Sequence, residues 1–206
     1  MTVLFLIITA LCSYFLGGLN GAIIISKVLY HKDIRKYGSG NAGLTNFHRT
    51  FGSAAALLVI LIDILKTIVG VLIGGALIGI VGHKVVGQLF AGFCLMLGHI
   101  YPAFYGFKGG KGVLSAGTMI LLIDWRVGLF CWAIFIVIVV FTRYVSLGSM
   151  VSSMSACVFM WMFAYPTLEG TLALLCGLLI VVKHSSNILR LISGTENKLS
   201  FGKKSR

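Results

Sequence analysis

Seven apolar runs separated by short polar or basic loops dominate this chain. They are Thr2–Ser26, Phe51–Val81, Val85–Phe104, Val113–Ile123, Val127–Thr142, Val145–Tyr165 and Gly170–Val182. A helix needs about 20 apolar residues to cross a bilayer, within a range of roughly 17–25. The first, second, third and sixth runs meet that length, so lipid rather than a buried core is the solvent for most of the chain. Composition agrees: 58% of the 206 residues are hydrophobic and 11% charged, against roughly 25% charged in a soluble domain. The expected fold is an all-α integral membrane protein, a polytopic bundle of seven transmembrane helices. A five-span alternative omits the short runs Val113–Ile123 and Gly170–Val182. Thr2–Ser26 reads as a retained span rather than a signal peptide, because no basic residue precedes it and it exceeds an h-region of about 7–15 residues. No soluble segment or repeat interrupts the pattern, so 1–206 reads as a single transmembrane domain.

The basic residues orient this bundle. Placing the first loop in the cytoplasm and alternating puts Lys27, Lys32, Arg35, Lys36 and Arg49 inside. Lys108, Lys111 and Arg143 join them, as do Lys183, Arg190, Lys198, Lys203, Lys204 and Arg206. Only Lys84 and Arg126 fall outside, and Lys66 lies within a span. The positive-inside rule then predicts an outer N-terminus and a cytoplasmic C-terminus. The net charge of +12 needs no nucleic acid; a basic cytoplasmic face serves insertion and attracts anionic headgroups and substrates.

Three polar, glycine-rich cassettes end apolar runs, and this topology sets all three on one face. They are Gly38-Ser39-Gly40-Asn41-Ala42-Gly43-Leu44-Thr45-Asn46-Phe47-His48-Arg49, then Gly98-His99-Ile100-Tyr101-Pro102 leading to Phe107-Lys108-Gly109-Gly110-Lys111-Gly112-Val113, then His184-Ser185-Ser186-Asn187-Ile188-Leu189-Arg190-Leu191. Glycine amides beside Arg, Lys, Ser, Thr and Asn suit phosphate oxygens, with many donors, close approach and positive charge. Arg49, at the mouth of the following helix, can grip a phosphate bidentately. Lys108, Gly109, Gly110, Lys111 and Gly112 form an anion cradle where a helix begins. His184 and Asn187, three apart, share a helical face that Arg190 can join. Each cassette by itself also fits a plain basic turn or a structural histidine.

Other chemistries fit less well. Gly38–Gly43 spells G-x-G-x-x-G, but no strand precedes it and no βαβ unit surrounds it. The Gly106–Gly112 segment resembles a Walker A loop, yet its glycine spacing is one residue short and no Ser or Thr follows Lys111. The His-x-x-x-x-Asp dyad common in acyl-CoA acyltransferases is missing: Lys36, Ser53, Gln88, Phe104 and Leu189 occupy the Asp position after the five histidines. The five cysteines lie in apolar runs without Cys-x-x-Cys spacing, which fits packing rather than disulfides or metal. No metal or other cofactor is expected. Asp63 and Lys66 are intramembrane charges three apart, expected as a structural pair on one helical face. Small residues at Gly17/Gly21, Gly70/Gly74 and Gly75/Gly79 predict close helix packing within the chain.

On all three cassettes in order, on size and on span pattern, the chain resembles the bacterial acyl-phosphate:glycerol-3-phosphate acyltransferase family along essentially its whole length. It departs at Leu44, where the family pattern has alanine, and at Val113-Leu114-Ser115, where it typically runs Val-Ala-Thr. The resemblance implies transfer of a fatty acyl group from acyl phosphate to the 1-hydroxyl of sn-glycerol 3-phosphate. The products would be lysophosphatidic acid and inorganic phosphate, at the start of phospholipid synthesis, with the active site on the cytoplasmic face of the bacterial inner membrane. It also implies that Ser39, Arg49, Lys108, His184 and Asn187 form the catalytic set. Gly40, Asn41, Gly43, Thr45, Asn46, His99, Gly109, Gly110, Lys111, Gly112 and Arg190 would line the substrates, and Glu196 would order the last cassette. Its partners would be the two phosphorylated substrates and the bilayer, with functional links to the enzyme that forms acyl phosphate and to the next acyltransferase.

Acyl phosphate is an activated anhydride, so positioning and charge stabilisation can carry the reaction without a covalent intermediate. The proton acceptor is either His184 or the substrate's own phosphate, and the phosphate is favoured. A transporter of a phosphorylated metabolite is the alternative reading. Repeat halves are missing, and the anion motifs gather at one face rather than at mid-membrane, which disfavours it. A lipid-surface scaffold would explain the charge but not Asn41, Asn46, His184 and Asn187.

Overall fold

A computed structural model describes residues 1–199, and these are all-helical. They form two compact units that divide after Ile123. Lys203, Lys204 and Arg206, three of the cations assigned to the cytoplasmic side, lie outside the described residues.

The first unit contains α1 (Thr2–Gly18), α2 (Gly21–Tyr30), α3 (Leu44–Phe51), α4 (Ser53–Gly79), α5 (Lys84–Ile100) and α6 (Val113–Ile123). Short 3₁₀ turns cover Ile34–Lys36 and Ala103–Tyr105. Helices α1, α4 and α5 pack on one another, α6 lies on α4 and α5, and α2 and α3 lie on α4. Helix α4 shows the inside-out pattern that a lipid solvent imposes. Leu57, Leu61, Leu65 and Leu72 are exposed, while Asp63, Lys66, Gly70 and Gly74 are buried. With no hydrophobic drive between helices in lipid, small residues set the association by allowing close backbones. A Cβ on Gly17 would strike the Leu95 carbonyl of α5, and one on Gly98 would strike the Tyr14 carbonyl of α1. Gly70, Gly74 and Gly75 likewise face Leu95, Ala91 and Gln88. Gly79 has more room, with Lys84 in ordinary contact.

The first apolar run forms one membrane-length stretch, Thr2–Tyr30, as expected, but its helix is interrupted within it. It breaks at Leu19–Asn20 and resumes as α2. Asn20 causes the break: its side-chain oxygen accepts from Ile23 N at 3.0 Å, capping a new helix, as Asn does at an N-cap. The next span starts at Ser53, because Gly52 (φ +88°) ends α3 first. Arg49 therefore sits in the last turn of a separate short helix, not at the mouth of α4.

The second unit contains α7 (Trp125–Thr142), α8 (Val145–Met162), α9 (Thr167–Lys183) and α10 (Ser185–Ile192). Helix α8 packs between α7 and α9. Asp124 caps α7 by accepting from Arg126 N at 2.9 Å, and Tyr165 donates to its other oxygen at 3.2 Å. The last run does not carry its cassette on one straight helix. A 61° bend separates α9 from α10, with His184 at the corner.

Five helical stretches are long and apolar enough to cross a membrane, or six if the bent pair α9–α10 counts as one span. Helix α6, with 11 residues, falls below that length.

Candidate active site

The first two cassettes meet within the first unit, and the chemistry of the loops explains how. In the first, Gly38 and Gly40 have φ of +59° and +72°, a region nearly closed to other L-residues. Asn46 holds the resulting loop from inside. It is buried, its oxygen accepts from Ser39 N at 2.9 Å, and its amide donates to Tyr37 O and Asn41 O, each at 3.0 Å. The side-chain amide of Asn46 is thus committed to the loop's own backbone. Ser39, Gly40 and Arg49 are exposed, and Asn41, Gly43 and Thr45 half-buried.

Two clamps join this loop to the second cassette. Asn20, buried at the α1–α2 break, donates to Ala42 O at 3.1 Å. Gly110 packs against that same carbonyl, where an added Cβ would come 2.7 Å from it and would also strike His99 Nε2. Only glycine lets the second loop approach this closely. The other clamp is Arg35, whose Nη1 donates to Tyr105 O at 2.5 Å and Lys108 O at 3.3 Å. Asp33 fixes the guanidinium, accepting from Arg35 Nε at 3.0 Å and Nη2 at 2.7 Å. The hydrogen bond from Arg35 holds the Asp33 carboxyl down at about 2. The turn itself is pinned by Gly109 N to Ile100 O (3.0 Å) and Gly110 N to His99 O (3.1 Å). Lys108 is left exposed, Lys111 half-buried, and α6 begins directly after Gly112.

Below this turn lies a buried polar cluster. Lys66 Nζ is 2.7 Å from Asp63 Oδ1, 2.8 Å from His99 Nδ1, and donates to Leu19 O at 3.0 Å and Gly17 O at 3.2 Å. Asp63 also accepts from Gly21 N at 3.3 Å. The break between α1 and α2 thereby provides the carbonyls that satisfy an intramembrane lysine.

The third cassette is built within the second unit. His184 and Asn187 are buried. His184 Nδ1 lies 2.8 Å from Ile180 O; a carbonyl only accepts, so Nδ1 carries a proton. Glu196 gathers three donors: Asn187 Nδ2 at 2.7 Å, Arg190 Nε at 2.7 Å and Ser146 Oγ at 2.9 Å. Burial by itself would raise this carboxyl, but the hydrogen bonds outweigh it and hold it below its ordinary value. Asn187 Nδ2 is thus directed at Glu196, and Arg190 is oriented by the same group.

Sequence reasoning missed Asn20, Asp33, Arg35 and Ser146. The chain has five acidic residues, so an Asp-x-Arg in the first loop was itself a signal. Asn20, a lone amide inside an apolar run, was another. Nothing in sequence pointed to Ser146.

Polar loops set on an inside-out helical frame, with cations and backbone donors around glycines, define a membrane-embedded protein built to handle phosphate esters. Comparison with known proteins makes the class specific. The family model described as glycerol-3-phosphate acyltransferase matches residues 7–194. The chain is 38% identical over 196 residues to a glycerol-3-phosphate acyltransferase of Thermoanaerobacter sp. (strain X514), covering 95% of this chain and 96% of the relative. It is 38% identical over 198 residues to that of Aquifex aeolicus (strain VF5), covering 96% and 100%. Among solved structures it is similar to crystal structures of PlsY (YgiH), an integral membrane glycerol 3-phosphate acyltransferase. The glycerol 3-phosphate form is 34% identical, with a TM-score of 0.85 and coverage of 95% of this chain and 96% of that one. The lysophosphatidic acid form is 32% identical, with a TM-score of 0.83 and coverage of 95% of each. The chain belongs to the glycerol-3-phosphate acyltransferase family.

Proposed function

We propose that this protein transfers a fatty acyl group from acyl phosphate to the 1-hydroxyl of sn-glycerol 3-phosphate, releasing lysophosphatidic acid and inorganic phosphate. Family membership supports the acceptor and product. The acyl-phosphate donor is supported by the missing His-x-x-x-x-Asp dyad and by the glycine-lysine turn. The observation that carries the reading is that turn, Lys108–Gly112, seated against Ala42 of the first cassette through Gly110. It sets two lysines beside glycine backbone that a phosphate can approach without a side chain in the way.

Within the first unit, Ser39 and Arg49 serve the phosphate of glycerol 3-phosphate, and the Lys108–Gly112 turn serves acyl phosphate. Gly40, Asn41, Gly43 and Thr45 shape the first of these sites, and Asn46 braces it. Within the second unit, His184 lies next to the substrates, while Asn187 and Arg190 act as groups oriented by Glu196.

The proton leaves the glycerol hydroxyl to an acceptor other than a carboxylate. Four of the five acids are engaged by Arg35, Lys66, Arg126 and Arg190. The fifth, Glu169, stands in the first turn of α9, at the opposite end of that helix from His184. The substrate phosphate is the favoured base and His184 Nε2 the other candidate. Appreciable turnover in His184→Gln supports the phosphate. Complete loss with folding and substrate binding intact assigns the role to His184.

The same proposal takes 1–206 as one domain of seven spans, counting α6 and α9, in the bacterial inner membrane with its active site cytoplasmic. The family match across both units supports the single domain, and the distribution of basic residues supports the orientation. The test uses purified protein in lipid with glycerol 3-phosphate and either palmitoyl phosphate or palmitoyl-CoA, following lysophosphatidic acid and phosphate release. Product from palmitoyl phosphate alone is expected. Product from palmitoyl-CoA, or from neither, rejects the donor assignment.

A further inference from the structure

The cluster under the glycine-lysine turn has a proton arrangement that can be worked out. Lys66 Nζ is surrounded by Asp63 Oδ1 (2.7 Å), Leu19 O (3.0 Å), Gly17 O (3.2 Å) and His99 Nδ1 (2.8 Å). The three oxygens can only accept. Lysine and aspartate are both almost fully buried, with 5% and 2% exposure. A neutral amine would leave the Asp63 carboxylate in the membrane interior without its cation, a strongly unfavourable state. Lys66 is therefore an ammonium and has no lone pair. His99 Nδ1, facing a group that can only donate, must accept. Asp63 Oδ1 stands 3.7 Å from the same nitrogen, beyond hydrogen-bond reach, so it does not compete for an Nδ1 proton. The imidazole is accordingly locked with its proton on Nε2.

That nitrogen faces the turn. Nε2 is the atom that a Cβ on Gly110 would strike first, with His99 Cδ2 the next ring atom at 3.1 Å. The histidine backbone also takes part, since His99 O accepts from Gly110 N at 3.1 Å. The backbone of His99 is thus bonded to the turn, and its Nε2 lies beside it.

We infer that His99 presents a fixed Nε2–H donor to a phosphate oxygen held at the Gly109–Gly110 turn, and that Asp63 and Lys66 are positioning residues that set its tautomer. This rests on the reading that the turn binds acyl phosphate. It gives the intramembrane ion pair a function beyond packing. Lys66 neutralises Asp63, saturates the carbonyls freed at the α1–α2 break, and holds one face of an imidazole so that the other can only donate. An unlocked histidine would spend part of its time with a lone pair towards the anion, which repels it.

Two substitutions separate this role from a merely structural one. His99→Gln keeps an NH2 group near the Nε2 position but gives up the acceptor opposite Lys66. His99→Asn keeps an acceptor opposite Lys66 but cannot reach the turn. A phosphate donor predicts that KM for palmitoyl phosphate rises at least about tenfold more in His99→Asn than in His99→Gln, the scale of one charge-assisted hydrogen bond. If His99 only satisfies Lys66, the order reverses or the two variants match, and the inference falls.

A second measurement needs no variant to be active. In 15N-histidine-labelled wild-type protein in lipid, the His99 signals should show a protonated Nε2 and an unprotonated Nδ1. The Nε2–H signal should shift on titration with inorganic phosphate. A protonated Nδ1, or a signal indifferent to phosphate, overturns the proposal. In Asp63→Asn/Lys66→Met, which removes both charges together, the His99 pattern should change to mixed tautomers; an unchanged pattern removes the positioning role. If wild-type protein makes no lysophosphatidic acid from palmitoyl phosphate, the proposed function has failed, while the phosphate titration still decides the donor.

Discussion

Replacing Gly110 by alanine tests whether the contact between the first two cassettes positions substrate. The added methyl would meet His99 Nε2, the Ala42 carbonyl oxygen at 2.7 Å and His99 Cδ2 at 3.1 Å. Carbon–oxygen contacts normally settle at about 3.3–3.6 Å, so several tenths of an ångström must be found at each neighbour. Neither neighbour gives readily. Ala42 O is held by buried Asn20 at 3.1 Å, and the His99 ring is anchored to Lys66 at 2.8 Å. The turn must therefore move, by an amount approaching 1 Å. Overpacking of this kind costs about 1–3 kcal/mol of stability, and a displacement near 1 Å can cost about 10²-fold in turnover. We expect Gly110→Ala to remain folded, with a lower melting temperature and kcat/KM for palmitoyl phosphate reduced roughly 10- to 100-fold. Gly106→Ala is the control. It places a side chain at φ +65° with nothing within 4 Å, so it pays about 1–2 kcal/mol of backbone strain without pushing the turn. Thermal unfolding in lipid and initial rates decide the matter. Gly110→Ala with wild-type kcat/KM, or Gly106→Ala as damaged as Gly110→Ala, refutes the reasoning.

Four further outcomes follow from the same geometry. Arg35→Lys cannot bridge Asp33, Tyr105 O and Lys108 O together, so KM for the phosphorylated substrates should rise severalfold in steady-state kinetics, about the effect of one net hydrogen bond. The Asp33–Arg35 pair also has a pH signature. The folded carboxyl is lowered from 3.8 to about 2, so its stabilisation is complete above pH 3.8 and is lost as pH falls towards 2; acid unfolding should show this limb weakened in Asp33→Asn. Glu196→Gln turns one acceptor oxygen into a donor, so the bonds from Asn187, Arg190 and Ser146 cannot all survive; a loss of about 1–2 kcal/mol in unfolding and a fall in kcat are expected, whereas wild-type kcat would show that Asn187 and Arg190 need no such ordering. Ser13 Oγ is buried without a hydrogen-bond partner among the described residues, so Ser13→Ala should hold or raise the melting temperature, since it removes an unsatisfied group.

Class and chemistry were legible from the chain alone because both are written in local features. Apolar runs of membrane length specify helices in lipid wherever they fold, and glycine–cation cassettes advertise anion binding through composition. The pairing of Asp63 with Lys66 was legible too, since residues three apart on a helix face each other. What the sequence could not yield were relations between segments distant in the chain. Helix-breaking by Asn20 depends on a cap that competes with an otherwise continuous apolar run, and the carbonyls it frees matter only because Lys66 of α4 reaches them. Arg35 counted as one more positive-inside charge until the fold set it against Tyr105 O and Lys108 O, some 70 positions away. Asn46 looked like a ligand group, and only the closed loop shows its amide turned onto its own backbone. Residue type and spacing determined the solvent, the helices and the kind of ligand. Tertiary structure decided which donors were already occupied and which way His99 and His184 hold their protons, because hydrogen bonds are settled by three-dimensional neighbours rather than by order along the chain.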